Sequence, residues 1–376
     1  MQPPLSLYIH FPWCVQKCPY CDFNSHEACT IDEERYIDAL LADFEQDKHL
    51  WQGRELHSIF MGGGTPSLFS AHALNRLLSA LAEKLAFRKD MEITLEANPG
   101  TFEQQKFAGY FAAGINRLSI GIQSFNDRHL QALGRIHNGA EAIKAIEALH
   151  QAGFTNFNID LMHGLPQQTK EEAFQDLQTA FALNPGHLSW YQLTIEPNTV
   201  FYSHPPRLPK DETLWEIQEQ GQRLIANAGF QQYEVSAYSK PGQQSQHNLN
   251  YWQFGDYLAL GAGAHGKITN IDTQIITRYQ KTRTPKDYLD NAKPFTAASD
   301  VVASSDLAFE FFMNGFRLNR GVRKQDFIHF TGLDMDTISD AIETAKNRQL
   351  IIETEQFWQP TEKGRLYLND LLQLFL

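Results

Sequence analysis

Short apolar runs alternate with amphipathic stretches through the first 230 residues. Strand-like runs fall at 5–11, 57–61, 92–97, 117–123, 156–162 and 187–195. Each is too short for a helix and rich in the branched and aromatic residues that suit a pleated surface. Between them, apolar residues recur at three- and four-residue spacing over 32–47, 71–85, 103–113, 140–152 and 170–183, which predicts helices with one buried face. Six strand–helix units in alternation predict an α/β fold: a parallel sheet curled into all or part of a (β/α) barrel. A further helix is predicted over 211–228, after the Pro-rich stretch 203–209.

The pattern changes at Tyr233. Residues 233–300 predict strand pieces and Gly-rich loops, including 255–266, and no extended helical periodicity. From Ser304 three helix-like runs lead into a hairpin over 350–360 and a last helix from Thr361 to about Leu374, an order that resembles a winged helix. The predicted division is 1–232 for the barrel core, 233–303 for a strand and loop extension, and 304–376 for a C-terminal helical domain.

Composition narrows the function. A chain of 376 residues with 42% hydrophobic positions is long enough for a large core and a smaller domain. Its net charge of −12 argues against nucleic acid as a partner, since binding there relies on Lys and Arg at phosphates. No apolar run reaches membrane-spanning length, and the N-terminus carries no signal-peptide pattern, so the expected location is the cytoplasm. All four cysteines fall before residue 30. In a reducing compartment such clustering points to metal rather than disulfides.

Three of them form Cys14-x3-Cys18-x2-Cys21, directly after the first predicted strand. A structural zinc site closes with four ligands, whereas a cubane held by three cysteines leaves one iron open. The loop lacks the paired C-x2-C arms common at zinc, but Cys29 or His26 as a fourth ligand is the alternative. Barrel chemistry collects at the C-terminal ends of strands. There the chain places the cysteine loop, Gly62-Gly63-Gly64-Thr65-Pro66, Glu96, Gln123, Asp160, and finally Thr194 and Glu196. The glycines either let a ligand come close to the backbone or simply form a tight strand-to-helix turn. Glu96, Gln123 and Asp160 offer hydrogen bonds suited to hydroxyls and an amino group, or else form a buried polar network. Arg135 could grip a carboxylate or be a plain surface charge.

These motifs resemble the radical S-adenosylmethionine (SAM) superfamily, whose cluster motif is Cys14-x3-Cys18-x-aromatic-Cys21 and whose SAM motif is Gly62-Gly-Gly-Thr-Pro66. The resemblance implies a partial (β/α)6 radical SAM barrel. It also implies a [4Fe–4S] cluster on Cys14, Cys18 and Cys21, with the open iron taking the amino and carboxylate groups of SAM. Tyr8, Gly63, Gly64, Thr65, Glu96, Gln123, Arg135 and Asp160 carry over as SAM contacts, and Tyr20 as a neighbour of the cluster or adenine.

Over nearly its full length the chain is similar to the oxygen-independent coproporphyrinogen III dehydrogenases (HemN), with one departure. Those proteins have another cysteine soon after the third, where this chain has Phe23. Cys18-Pro-Tyr-Cys21-Asp-Phe23-Asn-Ser, and the H-N-x-x-Y-W match at His247-Asn248-Leu-Asn-Tyr251-Trp252, instead resemble the HemW family of heme chaperones. The residues alone allow either a heme site or a satisfied histidine beside two core aromatics, since imidazole can ligate heme iron and aromatic faces suit a porphyrin. The resemblance implies heme on His247, Asn248, Tyr251 and Trp252, and transfer to apo-hemoproteins such as respiratory cytochromes. It also implies a heme donor of the bacterioferritin kind, a homodimer when cluster-loaded, and a peripheral position at the inner membrane during delivery. The competing expectation is a radical SAM decarboxylase acting on coproporphyrinogen III; a third is a radical SAM enzyme with another small substrate, which no cobalamin motif supports.

Overall fold

The computed structural model describes residues 2–376. Its first half alternates as the pattern predicts. The strands are β1 (Leu5–Phe11), β2 (Leu56–Gly63), β3 (Phe87–Ala97), β4 (Arg117–Gln123), β5 (Phe157–His163) and β6 (His187–Gln192). They lie side by side in chain order, all parallel. The sixth strand is shorter than predicted and stops before Thr194 and Glu196. The predicted helix over 103–113 is split into Thr101–Gln104 and Phe107–Ala112. Between them Lys106 sends its ammonium to the carbonyls of Ser67 and Leu68.

The period-two alternation of the strands gives the sheet two unlike faces. Leu7, Ile9, Phe11, Ile59, Met61, Leu95, Ile120, Ile159 and Leu161 are buried in one large apolar core. The alternate positions are polar and turn inward on one another. Ser58 donates to Ser6 at 2.8 Å, Asn158 donates to Ser119 at 2.8 Å, and His187 meets Asn158 at 2.6 Å. A hydrogen-bonded polar lumen inside an apolar shell results, as the cost of burying polar groups requires.

Residues 231–301 add strands to both edges of this sheet. Beyond β6 lie β7 (Gln231–Gln232) and β8 (Ala237–Ser239), with β8 antiparallel to β6. At the other edge β9 (Asp256–Leu260) runs parallel beside β1 as a seventh parallel strand. It is followed by the antiparallel β10 (His265–Thr269), β11 (Ile276–Lys281) and β12 (Thr296–Val301). The full order is β12-β11-β10-β9-β1-β2-β3-β4-β5-β6-β8-β7. The stretch also contains a helix, α1 (Gln246–Trp252), where the sequence predicts only strand pieces and loops.

A second apolar cluster holds the C-terminal region together around Phe311, Phe312, Phe327, Trp358 and Phe375. The hairpin pairs Ile351–Glu353 with Phe357–Pro360, and Val322–Arg323 adds a third strand. Helices Leu307–Gly315, Lys324–Thr331 and Ser339–Asn347 complete a winged-helix-like arrangement. The predicted last helix is interrupted at Tyr367, whose backbone leaves the helical region. Among the described residues no helix is long and apolar enough to cross a membrane.

Candidate functional site

The strand-end features named from the sequence fall in or directly after the C-terminal halves of β1 to β5, while Thr194 and Glu196 lie beyond the end of β6. Cys14, Cys18 and Cys21 are half-buried on the loop after β1. Each thiol has a polar neighbour. Thr65 Oγ1 donates to Cys14 Sγ at 3.4 Å, Arg135 donates to Cys18 Sγ at 3.6 Å, and Cys21 Sγ lies 4.0 Å from Ser25 Oγ. Burial pushes the Cys14 and Cys21 thiols up. Three soft sulfur donors on one loop, each beside a hydrogen-bond partner, fit an iron–sulfur cluster. Among the described residues no group of three or more His, Cys, Asp or Glu side chains is placed to hold a single metal ion. Cys29 is exposed and lines a separate surface cavity with Val15 and Ile31, and His26 bonds Asn24, so neither completes a zinc site.

Arg135 is no surface charge. Its guanidinium also donates to Asn98 Oδ1 and to the Gly121 carbonyl, both at 2.7 Å. Asn98 Nδ2 in turn donates to Thr65 Oγ1 at 3.2 Å. A bracket Cys14–Thr65–Asn98–Arg135–Cys18 therefore spans the mouth. Asn98 was not singled out from the sequence, although it follows Glu96 by two positions in Glu-Ala-Asn-Pro.

The glycine motif also has a job within the fold. Gly63 has φ +108°, and a Cβ there would stand 2.3 Å from the His10 ring. A Cβ on Gly64 would stand 2.5 Å from the Trp13 carbonyl. The N–H groups of Gly64 and Thr65 donate to Phe11 and Trp13, and that of Gly63 to Glu96 at 3.1 Å. The motif thus clamps the cysteine loop against β2.

Glu96 and Asp160 lie near enough for the Asp160 charge to act on Glu96. Burial, then the nearby Asp160 charge, pushes the Glu96 carboxyl up to about 8. Asp160 is also raised by burial, although Ser119 and Asn158 donate to it. Two buried carboxyls in one low-dielectric space favour a cationic guest. Gln123, at φ 72° beyond an irregularity in β4, accepts from Tyr191 at 2.9 Å. Tyr8 bonds His10 Nδ1 at 2.9 Å, and Tyr20 packs toward Phe201 beside the cluster loop.

The residues 247–252 do not share one face. Helix α1 is capped by Ser245, whose hydroxyl accepts from Asn248 N–H, and its first N–H groups point at buried Glu92. A carboxylate there complements the helix dipole. His247 and Tyr251, four apart, turn into the lumen. His247 is buried, with Nδ1 2.9 Å from Ser58 Oγ and Nε2 2.9 Å from Tyr251 Oη, and burial drives it down to about 3. Its ring stacks on Phe60 at 5.0 Å. Trp252 faces the opposite way, under the Arg317 guanidinium at 4.3 Å, joining the barrel to the C-terminal region. Asn248 is half-buried beside its cap.

A cavity of about 390 Å³ opens between the cysteine loop and the β1–β9 seam. Gly63, Glu96 and Tyr8 line it together with Tyr251, Tyr257, Phe23, His10 and His265. Phe23 and Tyr251 thus border the same space as the SAM motif.

A parallel half-barrel with a three-cysteine loop over a glycine strand end defines a radical SAM protein. The Radical SAM superfamily model matches residues 8–180, and the HemN C-terminal domain model matches 302–367. Heme chaperone HemW of Haemophilus influenzae is 56% identical across 100% of this chain and 98% of its own length. Heme chaperone HemW of Escherichia coli is 52% identical over 100% and 98%. The solved structure of coproporphyrinogen III oxidase (HemN) from Escherichia coli superposes with a TM-score of 0.84 at 24% identity, covering 100% of this chain and 90% of that one, which is a likeness of fold. The chain belongs to the HemW family.

Proposed function

We propose that this protein is a heme chaperone that carries a [4Fe–4S] cluster and SAM at the barrel mouth and hands heme to apo-hemoproteins such as respiratory cytochromes. The carrying observation is the shared cavity: Phe23 and Tyr251 line it beside Gly63 and Glu96. Aromatic faces at the rim suit a flat tetrapyrrole, and a rim position suits cargo that must leave again. The relatives named heme chaperones support the reading over their full length.

Cys14, Cys18 and Cys21 would hold the cluster, which when bound supplies one-electron chemistry. Thr65, Asn98 and Arg135 orient the thiols. Glu96, Asp160 and Gln123 receive the polar groups of SAM, with Tyr8, Tyr20, Gly63 and Gly64 shaping the walls. His247, Asn248 and Trp252 belong to this reading as the helix that presents Tyr251. The partners are a heme donor such as bacterioferritin and a second copy of the chain when cluster-loaded. The place of action is the cytoplasm, with delivery at the inner membrane face.

Two assays on one sample decide between chaperone and enzyme. Hemin titration should give stoichiometric binding, while coproporphyrinogen III with SAM and a reductant should stay unconverted by cluster-loaded protein. Turnover of coproporphyrinogen III, or absence of hemin uptake, reverses the conclusion.

A further inference from the structure

The two ring nitrogens of His247 do different work, and the hydroxyls around the ring tell them apart. Ser58 Oγ donates to Ser6 Oγ at 2.8 Å, which uses its one hydrogen. Toward His247 Nδ1, 2.9 Å away, it can then only accept, so Nδ1 carries the N–H. Burial keeps the ring neutral, and a neutral imidazole has one N–H and one lone pair. The lone pair is therefore on Nε2, and Tyr251 Oη at 2.9 Å donates to it. Iron needs that same lone pair.

The two partners differ in how firmly they are held. The imidazole is fixed from several sides. Its Nδ1 is anchored on Ser58, its ring stacks on Phe60 at 5.0 Å, and its backbone N–H donates to Glu92 at 3.3 Å. The Tyr251 hydroxyl has no hydrogen-bond partner besides His247 among the described residues. Its ring is half-buried and lines the mouth cavity, whereas His247 is 1% exposed and does not.

We propose that Tyr251 is a removable cap on the heme-ligating nitrogen of His247: its hydroxyl holds the Nε2 lone pair until iron displaces it, and competes to take it back. The inference rests on the heme-chaperone reading, with heme on His247 as the family resemblance implies, and adds how that ligand is guarded and released.

The exchange balances simply. Nε2 shares its lone pair with iron instead of with the phenol hydrogen, the phenol keeps its proton, and nothing is oxidised or reduced. Burial, then the nearby Tyr257, Tyr8 and Glu96, holds the Tyr251 phenol well above its ordinary range, so it remains a donor and does not become an anionic ligand itself. Once displaced, the hydroxyl faces the cavity and its polar wall, so its hydrogen is not stranded. A carrier gains from such a competitor. The ligand stays in place, but its grip is weakened by one net hydrogen bond, about fivefold in affinity.

The test is a hemin titration of the full-length, cluster-loaded protein, read by the Soret band and by electron paramagnetic resonance, on wild type, Tyr251→Phe, Ser58→Ala and His247→Ala. Stopped-flow transfer of the bound hemin to apomyoglobin follows, and circular dichroism and cluster content confirm folding. Tyr251→Phe should keep the imidazole-ligated spectrum of wild type, bind hemin about fivefold more tightly and release it to apomyoglobin correspondingly more slowly. Ser58→Ala should act in the opposite direction. Without an acceptor for Nδ1–H the proton moves to Nε2, and hemin should bind about fivefold or more weakly. His247→Ala should lose the imidazole signature. A Tyr251→Phe variant that binds hemin equally or more weakly, or releases it no more slowly, overturns the cap and leaves the chaperone reading standing. Unchanged affinity in Ser58→Ala, or an imidazole signature kept in folded His247→Ala, does the same, and Ser58→Ala alone decides should Tyr251→Phe not fold. No hemin uptake by wild type overturns both.

Discussion

Asn98 and Arg135 are joined by a 2.7 Å hydrogen bond that closes a bridge between the thiols of Cys14 and Cys18. Arg135 reaches Cys18 and Asn98 reaches Thr65, which reaches Cys14. The residue at the centre touches no sulfur, yet it fixes the two groups that do.

Removing that centre should be felt at the metal. Loss of an outer-shell partner costs on the order of ten- to hundredfold in metal affinity. Asn98→Ala should therefore retain iron about tenfold less well under a chelator challenge after anaerobic reconstitution, with unchanged circular dichroism. Equal retention in wild type and variant would show that the bracket is idle.

The Glu96 carboxyl is held up to about 8, so SAM binding beside it should depend on pH. A cationic guest favours the ionised carboxylate, so binding releases a proton wherever the free site holds one. Affinity should rise with pH from 6.5 toward 8 and then level off, by up to about tenfold per pH unit. Isothermal titration in two buffers of different ionisation enthalpy measures the released proton directly. Glu96→Gln should release fewer protons and show a flatter profile; an identical profile would remove Glu96 from the linkage.

His247 is held neutral by burial, down to about 3. The unfolded chain takes up a proton at this position near 6.5, and the folded chain does not. Its contribution to stability is thus complete above 6.5 and falls as pH drops toward 3, at most about 1.4 kcal/mol per pH unit. Raised carboxyls such as Asp176, at about 6, act in the opposite direction, so the comparison must be made against a variant. Urea unfolding at pH 7, 6 and 5 should show a shallower acid loss in His247→Gln than in wild type. Parallel curves would mean that His247 takes up its proton as readily in the folded protein as in the unfolded chain.

Gly63 tests the clamp under the cysteine loop. With φ +108° and the His10 ring 2.3 Å from the site of a Cβ, Gly63→Ala must strain the backbone and displace the imidazole. A loss of about 1–3 kcal/mol is expected. Gly114→Ala, also at positive φ but with nothing within 4 Å, supplies the control for backbone strain alone. Equal losses in the two variants would mean that the His10 contact contributes nothing.

The particulars divide by range. Alternating apolar positions in Leu5–Phe11 or Arg117–Gln123 fix strand and inner face together, because side-chain direction in a strand has period two. The same alternation places Glu96 and Asp160 inside the lumen. The cysteine spacing and the glycine run are equally local. Helix α1 was not legible: seven residues are too few to show a helical period, and the carboxylate at its start, Glu92, lies 154 positions from Gln246.

By itself, then, the sequence determined the six parallel strands, the three-thiol loop and the polar groups at the mouth, all read from neighbours a few residues apart. Tertiary structure alone decided that Asp256–Leu260 slides in beside Leu5–Phe11, bringing His265 and Phe23 to one cavity. It also decided that His247 is locked between Ser58 and Tyr251. The physical reason is that a side chain's hydrogen-bond partners and exposure depend on what the fold packs against it, and the decisive contact here, Ser58 on His247, comes from 189 positions away.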